Sequence, residues 1–135
     1  DILRKYIETA HLDIFETRQL RLMIDIKKNN HFKTIGTIDL FDFEPQNQRA
    51  GVGILIANTS ERKKGYASLA LKMLIQYCFA VMGLHQLYCN IGSKNKKSIA
   101  LFEKNGFKKI GIKKQWNRRG SNWEDEIMFQ LICRK

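Results

Sequence analysis

The sequence predicts an α+β domain: a mixed, mostly antiparallel central sheet of about six strands flanked by helices, with one parallel strand pair inside it. Three observations carry this prediction. Residues 20–26 and 35–43 alternate apolar with polar side chains, the pattern of half-buried strands. Residues 50–57 form a continuous apolar run, followed by a long helical pattern and then at once by another strand, 86–91. That order requires a crossover between parallel partners. The last third returns to alternation, in 107–116 and again around Ile127, Phe129, Leu131 and Cys133.

In chain order, Ile2, Leu3, Tyr6, Ile7 and Ala10 recur at helical spacing, so residues 1–14 are expected to form an amphipathic helix. Leu20, Leu22, Ile24 and Ile26 then alternate with Arg21, Met23 and Asp25, and the strand closes at the turn Lys27-Lys28-Asn29-Asn30. Residues 35–43, IGTIDLFDF, form the next strand of an antiparallel meander, ended by Pro45 and the polar turn PQNQ. The run 50–57 reads as a central strand buried on both faces, in which Gly51 and Gly53 mark a bulge or a close approach by a ligand or neighbouring backbone. From Gly65 to Met82 only Ser68, Lys72 and Gln76 make a polar stripe, so that helix is expected to be covered nearly all round until Gly83 ends it. A second helix spans 95–105 with Gly106 as its stop. No internal repeat or low-complexity linker interrupts this order.

Bulk composition narrows the function classes. With 135 residues and 44% hydrophobic content, the whole chain, 1–135, fits one domain with its own core. No apolar run approaches the roughly 18 residues of a membrane span, and the start DILRKYIETAH lacks a signal-peptide pattern; the expected location is cytoplasmic. Because the chain starts on Asp1 inside an apparent helix, it is expected to be N-terminally truncated. Cys78, Cys89 and Cys133 are odd in number, without ligand spacing, and lie in apolar runs, as reduced buried thiols do. His11, His31 and His85 are scattered, so no metal is expected. The formal net charge of +11 is spread over several Lys/Arg clusters instead of one tract, which argues against a nucleic-acid interface.

Two motifs carry chemistry. Arg62-Lys63-Lys64-Gly65-Tyr66-Ala67 fits R/Q-x-x-G-x-G/A between a buried strand and a helix start. There a glycine admits a ligand close to the backbone, and the free N–H groups of the first turn, the helix dipole and the nearby lysines favour a pyrophosphate. Neither a P-loop nor a dinucleotide glycine motif is present. Asn95-x-x-Ser98-x-x-x-Phe102-x-x-x-Gly106-Phe107 places Asn95, Ser98 and Phe102 on one helical face after the parallel partner strand. Taken alone, Asn95 reads as a helix cap and Phe102 as core.

Together and in this order the two motifs resemble the acyl-CoA site of the GNAT superfamily of N-acetyltransferases, over most of the chain from Leu20 onward. Within it, the text from Gly36 to Ile132 is similar to the branch of spermidine N-acetyltransferases and ribosomal-protein alanine acetyltransferases. The resemblance implies that strands 50–57 and 86–91 splay apart and that pantetheine lies along Leu55, Ile56 and Ala57. It also implies that Arg62, Lys63, Lys64, Gly65, Tyr66 and Ala67 hold the pyrophosphate and that Asn95, Lys97, Ser98 and Phe102 contact the same cofactor. The implied partners are acetyl-CoA and an amine acceptor, a polyamine-like molecule or a protein N-terminus. No membrane is implied, and self-association into a homo-oligomer is left open.

The implied reaction is direct attack by the amine on the thioester in a ternary complex. An alkylammonium, with a pKa of about 10.4, must first lose its proton, which calls for a carboxylate. Asp39, Asp42 and Glu44 lie on or just after the strand before Pro45, and Glu124, Asp125 and Glu126 open the last strand; Asp42, Glu44 and Asp125 are the base candidates. Asp39 and Asp42, three apart, face opposite sides of a regular strand, and only a bulge would reunite them. The sequence departs from the family twice. Phe102 stands where many relatives carry an acidic tyrosine, and Gly51 where alanine acetyltransferases often carry a glutamate. Tyr66 and Tyr88 are then the acid candidates. Those departures keep a non-catalytic acyl-CoA sensor open, and the dispersed basic clusters leave a less favoured alternative, a basic RNA- or ribosome-binding domain.

Overall fold

The computed structural model describes residues 2–5, 17–57 and 65–134. Its strands are Ile2–Lys5 (β1), Leu20–Lys28 (β2), His31–Glu44 (β3), Arg49–Ile56 (β4), Gln86–Gly92 (β5), Lys108–Arg119 (β6) and Asn122–Ile132 (β7). The helices are Tyr66–Gln76 (α1) and Lys96–Lys104 (α2). All seven strands join one sheet in the order β1-β2-β3-β4-β5-β7-β6, parallel only between β4 and β5.

Period-2 alternation decides which residues meet on each face. On one face Ile24, Ile38, Leu40, Ala50, Val52, Leu87, Cys89 and Phe129 join Leu71, Leu74 and Cys78 of the first helical segment and Phe102 of α2 in a single buried cluster. Truncating any of the leucines to alanine removes about 2–5 kcal/mol. The other face carries Arg21, Asp39, Gln86, Tyr88, Asn90 and Gln130 and is polar. Helices therefore cover the sheet on its apolar side, and a cation, an acid and several amides stand on the opposite one.

Three expectations need correction. Residues 2–5, read as the start of a helix, are a strand antiparallel to β2, with Ile2 opposite Asp25 and Lys5 opposite Leu22. Helical spacing over so short a stretch is weak, and the open edge of β2 supplies a partner that local periodicity cannot register. The remainder of that expected helix, 6–14, lies outside the described residues. The long helix also differs. The α-helical ladder stops at Gln76, and residues 77–81 close a π-turn, with Met82 N–H donating to Tyr77 O at 3.0 Å. Nor is it covered all round, since Leu69, Tyr77 and Val81 are exposed. Both segments end where expected, at Gly83 and Gly106, each with positive φ.

Candidate functional site

The strand pair at the centre of the sheet is joined over only three positions. Arg49, Ala50 and Gly51 pair with Gln86, Leu87 and Tyr88, after which β4 and β5 separate. Beyond that point β4 stays laddered to β3 as far as Ile56, and β5 to β7 as far as Gly92. The result is a V whose apex is the Gly51–Tyr88 pair. Among the described residues no strand covers the β4 edge from Val52 to Ile56, which leaves backbone donors and acceptors open to a ligand.

A cleft of about 400 Å³ opens at the mouth of the V, lined by Ile54, Leu55 and Ile56 of β4, Gly65, Ala67 and Ser68 at the start of α1, and Asn95, Lys97, Ser98 and Leu101 of α2. Gly65 is the N-cap of α1, with φ 80°, no side-chain cap and no acid in the first turn. A Cβ there would meet nothing within 4 Å. Among the described residues the first turn of α1 thus opens on the cleft through Gly65, Ala67 and Ser68, an arrangement that suits a phosphate. Asn95 caps α2 instead, its Oδ1 accepting from Ser98 N–H at 3.2 Å. The two helices are tied together where Asn105 Nδ2 donates to Ser68 Oγ at 3.3 Å.

Of the residues expected to hold the cofactor, Leu55, Ile56, Gly65, Ala67, Asn95, Lys97 and Ser98 line this cleft. Ala57 follows β4 directly, its N–H donating to Ile35 O. Tyr66 packs against the core cluster. Phe102 is buried and meets Phe107 edge to face, ring centres 5.0 Å apart, so its side chain belongs to the core under α2 and not to the cleft lining. Arg62, Lys63 and Lys64 lie outside the described residues.

A second concavity, of about 500 Å³, lies on the polar face beside the apex. It is lined by Asp42, Arg49, Gln86, Tyr88, Asn90, Ile110, Lys113, Met128 and Gln130. Its acid arrives by way of a β-bulge. Phe41 pairs with Gly51 and Glu44 with Arg49, so Asp42 and Phe43 together oppose Ala50. Asp42 takes φ 47°, which aspartate tolerates better than most residues. Phe43 turns into the core, and Asp42 accepts from Tyr88 Oη at 3.5 Å. The bulge that the sequence required to bring Asp39 and Asp42 to one face is therefore present. Asp39 itself is tied up by Arg21 through two bonds of 2.9 and 3.0 Å.

Gly51 has its explanation here. A Cβ at that position would stand 2.3 Å from the Phe41 ring, which fills the space that a side chain of residue 51 would need. Phe41 meets Tyr88 edge to face, with ring centres 6.0 Å apart. Burial, followed by the charge and hydrogen bond of Asp42, pushes the Tyr88 phenol above its ordinary range, while Arg49 pulls it the other way. Tyr88 is thus held as an O–H donor to Asp42.

The other acids have structural partners. Glu44 lies 3.7 Å from Arg18. Asp125 Oδ1 accepts from Gln115 N–H at 2.8 Å in the β6 bulge, which, with Lys114, holds its carboxyl below the usual range. Glu124, also considered, accepts from Lys94 N–H at 3.0 Å and from Arg119 at 2.9 Å; it anchors the turn before α2 and is likewise depressed. Burial drives the Cys78 and Cys89 thiols up to about 12, far from nucleophilic. Arg49 and the amides of the polar groove were not singled out from the sequence. Their convergence depends on strand order, and their only early signal was Arg49 beginning the run that contains the two glycines.

The comparisons agree with this architecture. The sequence model described as "Acetyltransferase (GNAT) domain" matches residues 2–108. An N-acetyltransferase of Bacillus licheniformis called p20, itself described as uncharacterized, is 28% identical over 115 residues, 85% of this chain and 63% of that protein. Spermidine N(1)-acetyltransferase of Vibrio cholerae is 26% identical over 104 residues, 77% of this chain and 58% of its own length. The chain thus spans less than two thirds of either relative. A solved dodecameric spermidine N-acetyltransferase from Vibrio cholerae shares the fold at a TM-score of 0.78 and 20% identity, over 94% of this chain and 70% of the other. With its splayed parallel pair and open helix start, the chain belongs to the GNAT acetyltransferase family.

Proposed function

We propose that the protein is an N-acetyltransferase that moves an acetyl group from acetyl-CoA to a primary amine, with the donor in the V cleft and the acceptor in the polar groove. The observation that carries this reading is the separation of β4 from β5 after three pairs, next to an uncapped helix start. The residues present fit the donor. The free β4 edge suits the amides of pantetheine, the first turn of α1 suits the pyrophosphate, and Lys97 adds positive charge at the mouth. Arg62, Lys63 and Lys64 are assigned to the same phosphates from the motif.

Bound acetyl-CoA supplies an activated acyl thioester: the amine nitrogen bonds to the carbonyl carbon as the carbon–sulfur bond breaks. What the chain must do is take the proton from the ammonium, and Asp42 is the group we assign to it. Tyr88 is a positioning residue that aims the carboxylate. With Phe102 in the core and Tyr88 held protonated, no side chain is needed to protonate a thiolate whose acid has a pKa of only about 8.5. The test is calorimetric binding of acetyl-CoA followed by thiol release over a panel of primary amines, including spermidine and an alanine-starting peptide. Binding with no release on any amine would favour the acyl-CoA sensor instead.

A further inference from the structure

The polar groove holds two opposite charges that do not satisfy each other. Among the described residues the Asp42 carboxylate accepts only the Tyr88 hydroxyl, at 3.5 Å. The guanidinium of Arg49, which shares the groove, has no hydrogen bond or ion pair with any described residue, although it sits close enough to lower the Tyr88 pKa. The other cation of the groove, Lys113, is already engaged with Asn90 Oδ1 at 3.3 Å and Glu126 Oε2 at 3.4 Å. Tyr88, Met128 and the paired amides of Gln86 and Gln130 add uncharged lining to the same groove.

We infer that the acceptor of this site is zwitterionic, an amine that also carries a carboxylate, with its ammonium at Asp42 and its carboxylate at Arg49. The inference deepens the acetyltransferase reading and rests on it for the role of the groove. A small zwitterion completes both charges at once, and guanidinium with carboxylate forms a charge-assisted, often bidentate pair. A polyamine satisfies Asp42 but sets its next ammonium against Arg49, in a protein of net charge +11 that already disfavours cations.

The test pairs amines that differ only in the carboxylate: 4-aminobutyrate against butylamine, 6-aminohexanoate against hexylamine, and alanine against alanine amide, with spermidine alongside. Binding to the protein saturated with CoA is measured by ligand-observed NMR, and thiol release is measured separately with acetyl-CoA. At least one carboxylate-bearing member is expected to bind about tenfold more tightly than its partner, the size of one charge-assisted pair. Arg49→Gln should erase that ratio, and Arg49→Glu should reverse it in favour of spermidine. Unchanged acetyl-CoA affinity in both variants shows that they are folded. Equal or weaker binding of every carboxylate-bearing member, preference for spermidine in the parent protein, or a ratio that survives Arg49→Glu overturns the inference. A binding preference without thiol release leaves carboxylate recognition standing and sinks the transferase reading.

Discussion

The two concavities on either side of the V apex are built by different means. The cleft at its mouth is made chiefly of backbone and small side chains: the open edge of β4, the left-handed Gly65, the first turn of α1 and the Asn95 cap. The polar groove is made of large side chains brought together from β3, β4, β5, β6 and β7. Backbone sites recognise what all donors of one kind share, such as a phosphate or an amide chain. Side-chain sites discriminate, because a single replacement changes charge or shape. On this comparison, changes in the groove should alter rate and acceptor choice, and changes in the cleft should alter donor affinity.

The sharpest way to break that division is Asp42→Asn. Loss of a general base costs about 10²-fold or more in kcat, and acetyl-CoA affinity should stay within about twofold, since Asp42 lies in the groove and not in the cleft. A kcat within about threefold of the parent places the base elsewhere. Gly65→Ala should do the reverse. Its positive φ disfavours alanine by about 1–2 kcal/mol, so a shift of the backbone that moves the first-turn N–H groups should weaken acetyl-CoA by about tenfold in calorimetry.

Gly51→Ala falls between the two regions. Pushing the Phe41 ring aside should cost about 1–3 kcal/mol in denaturant unfolding, and Phe41→Ala should cancel part of that cost in a double-mutant cycle. Additive losses would mean that the ring yields freely. Asn95→Ala removes a helix cap, with an expected loss of about 1 kcal/mol and a Tm lower by roughly 4 °C, readable by calorimetry. The smallest effect concerns pH. Glu124 has its carboxyl depressed by Lys94 N–H and by Arg119, so its contribution is present above the ordinary glutamate range and fades as pH falls through the lower folded value. Glu124→Gln should therefore flatten stability on the acid side and leave its slope near neutrality unchanged, as urea titrations at stepped pH can show.

These differences also mark what could be read from the chain. The cleft was legible because its parts are consecutive: a buried strand, a loop, a glycine and a helix start, then a second helix opened by Asn95. Such motifs report local backbone geometry, which nearby residues determine. The strand order was largely legible too, since one crossover and two alternating hairpins leave few topologies. What escaped was non-local. Residues 2–5 became a strand because β2 offered an edge. Phe102, core on its spacing alone but assigned to the cofactor by the resemblance, went to the core because Phe107 and the sheet lie beneath it. Asp42 could be named as an acid, but which way it turned depended on a register slip against β4, and Arg49 carried no motif at all. The exposed stripe of Leu69, Tyr77 and Val81 shows the same limit, because apolar content cannot say what stands opposite it.

The way the V is held open bears on kinetics. Each arm has its own antiparallel ladder on the outer side, β3 along β4 and β7 along β5, so backbone hydrogen bonds of the sheet itself hold the two arms apart. A donor that enters has no strands to separate first. Its capture should follow a single exponential phase whose rate grows linearly with concentration, with no plateau from a slow opening step, and changes in donor affinity should then appear mainly in how fast the donor leaves.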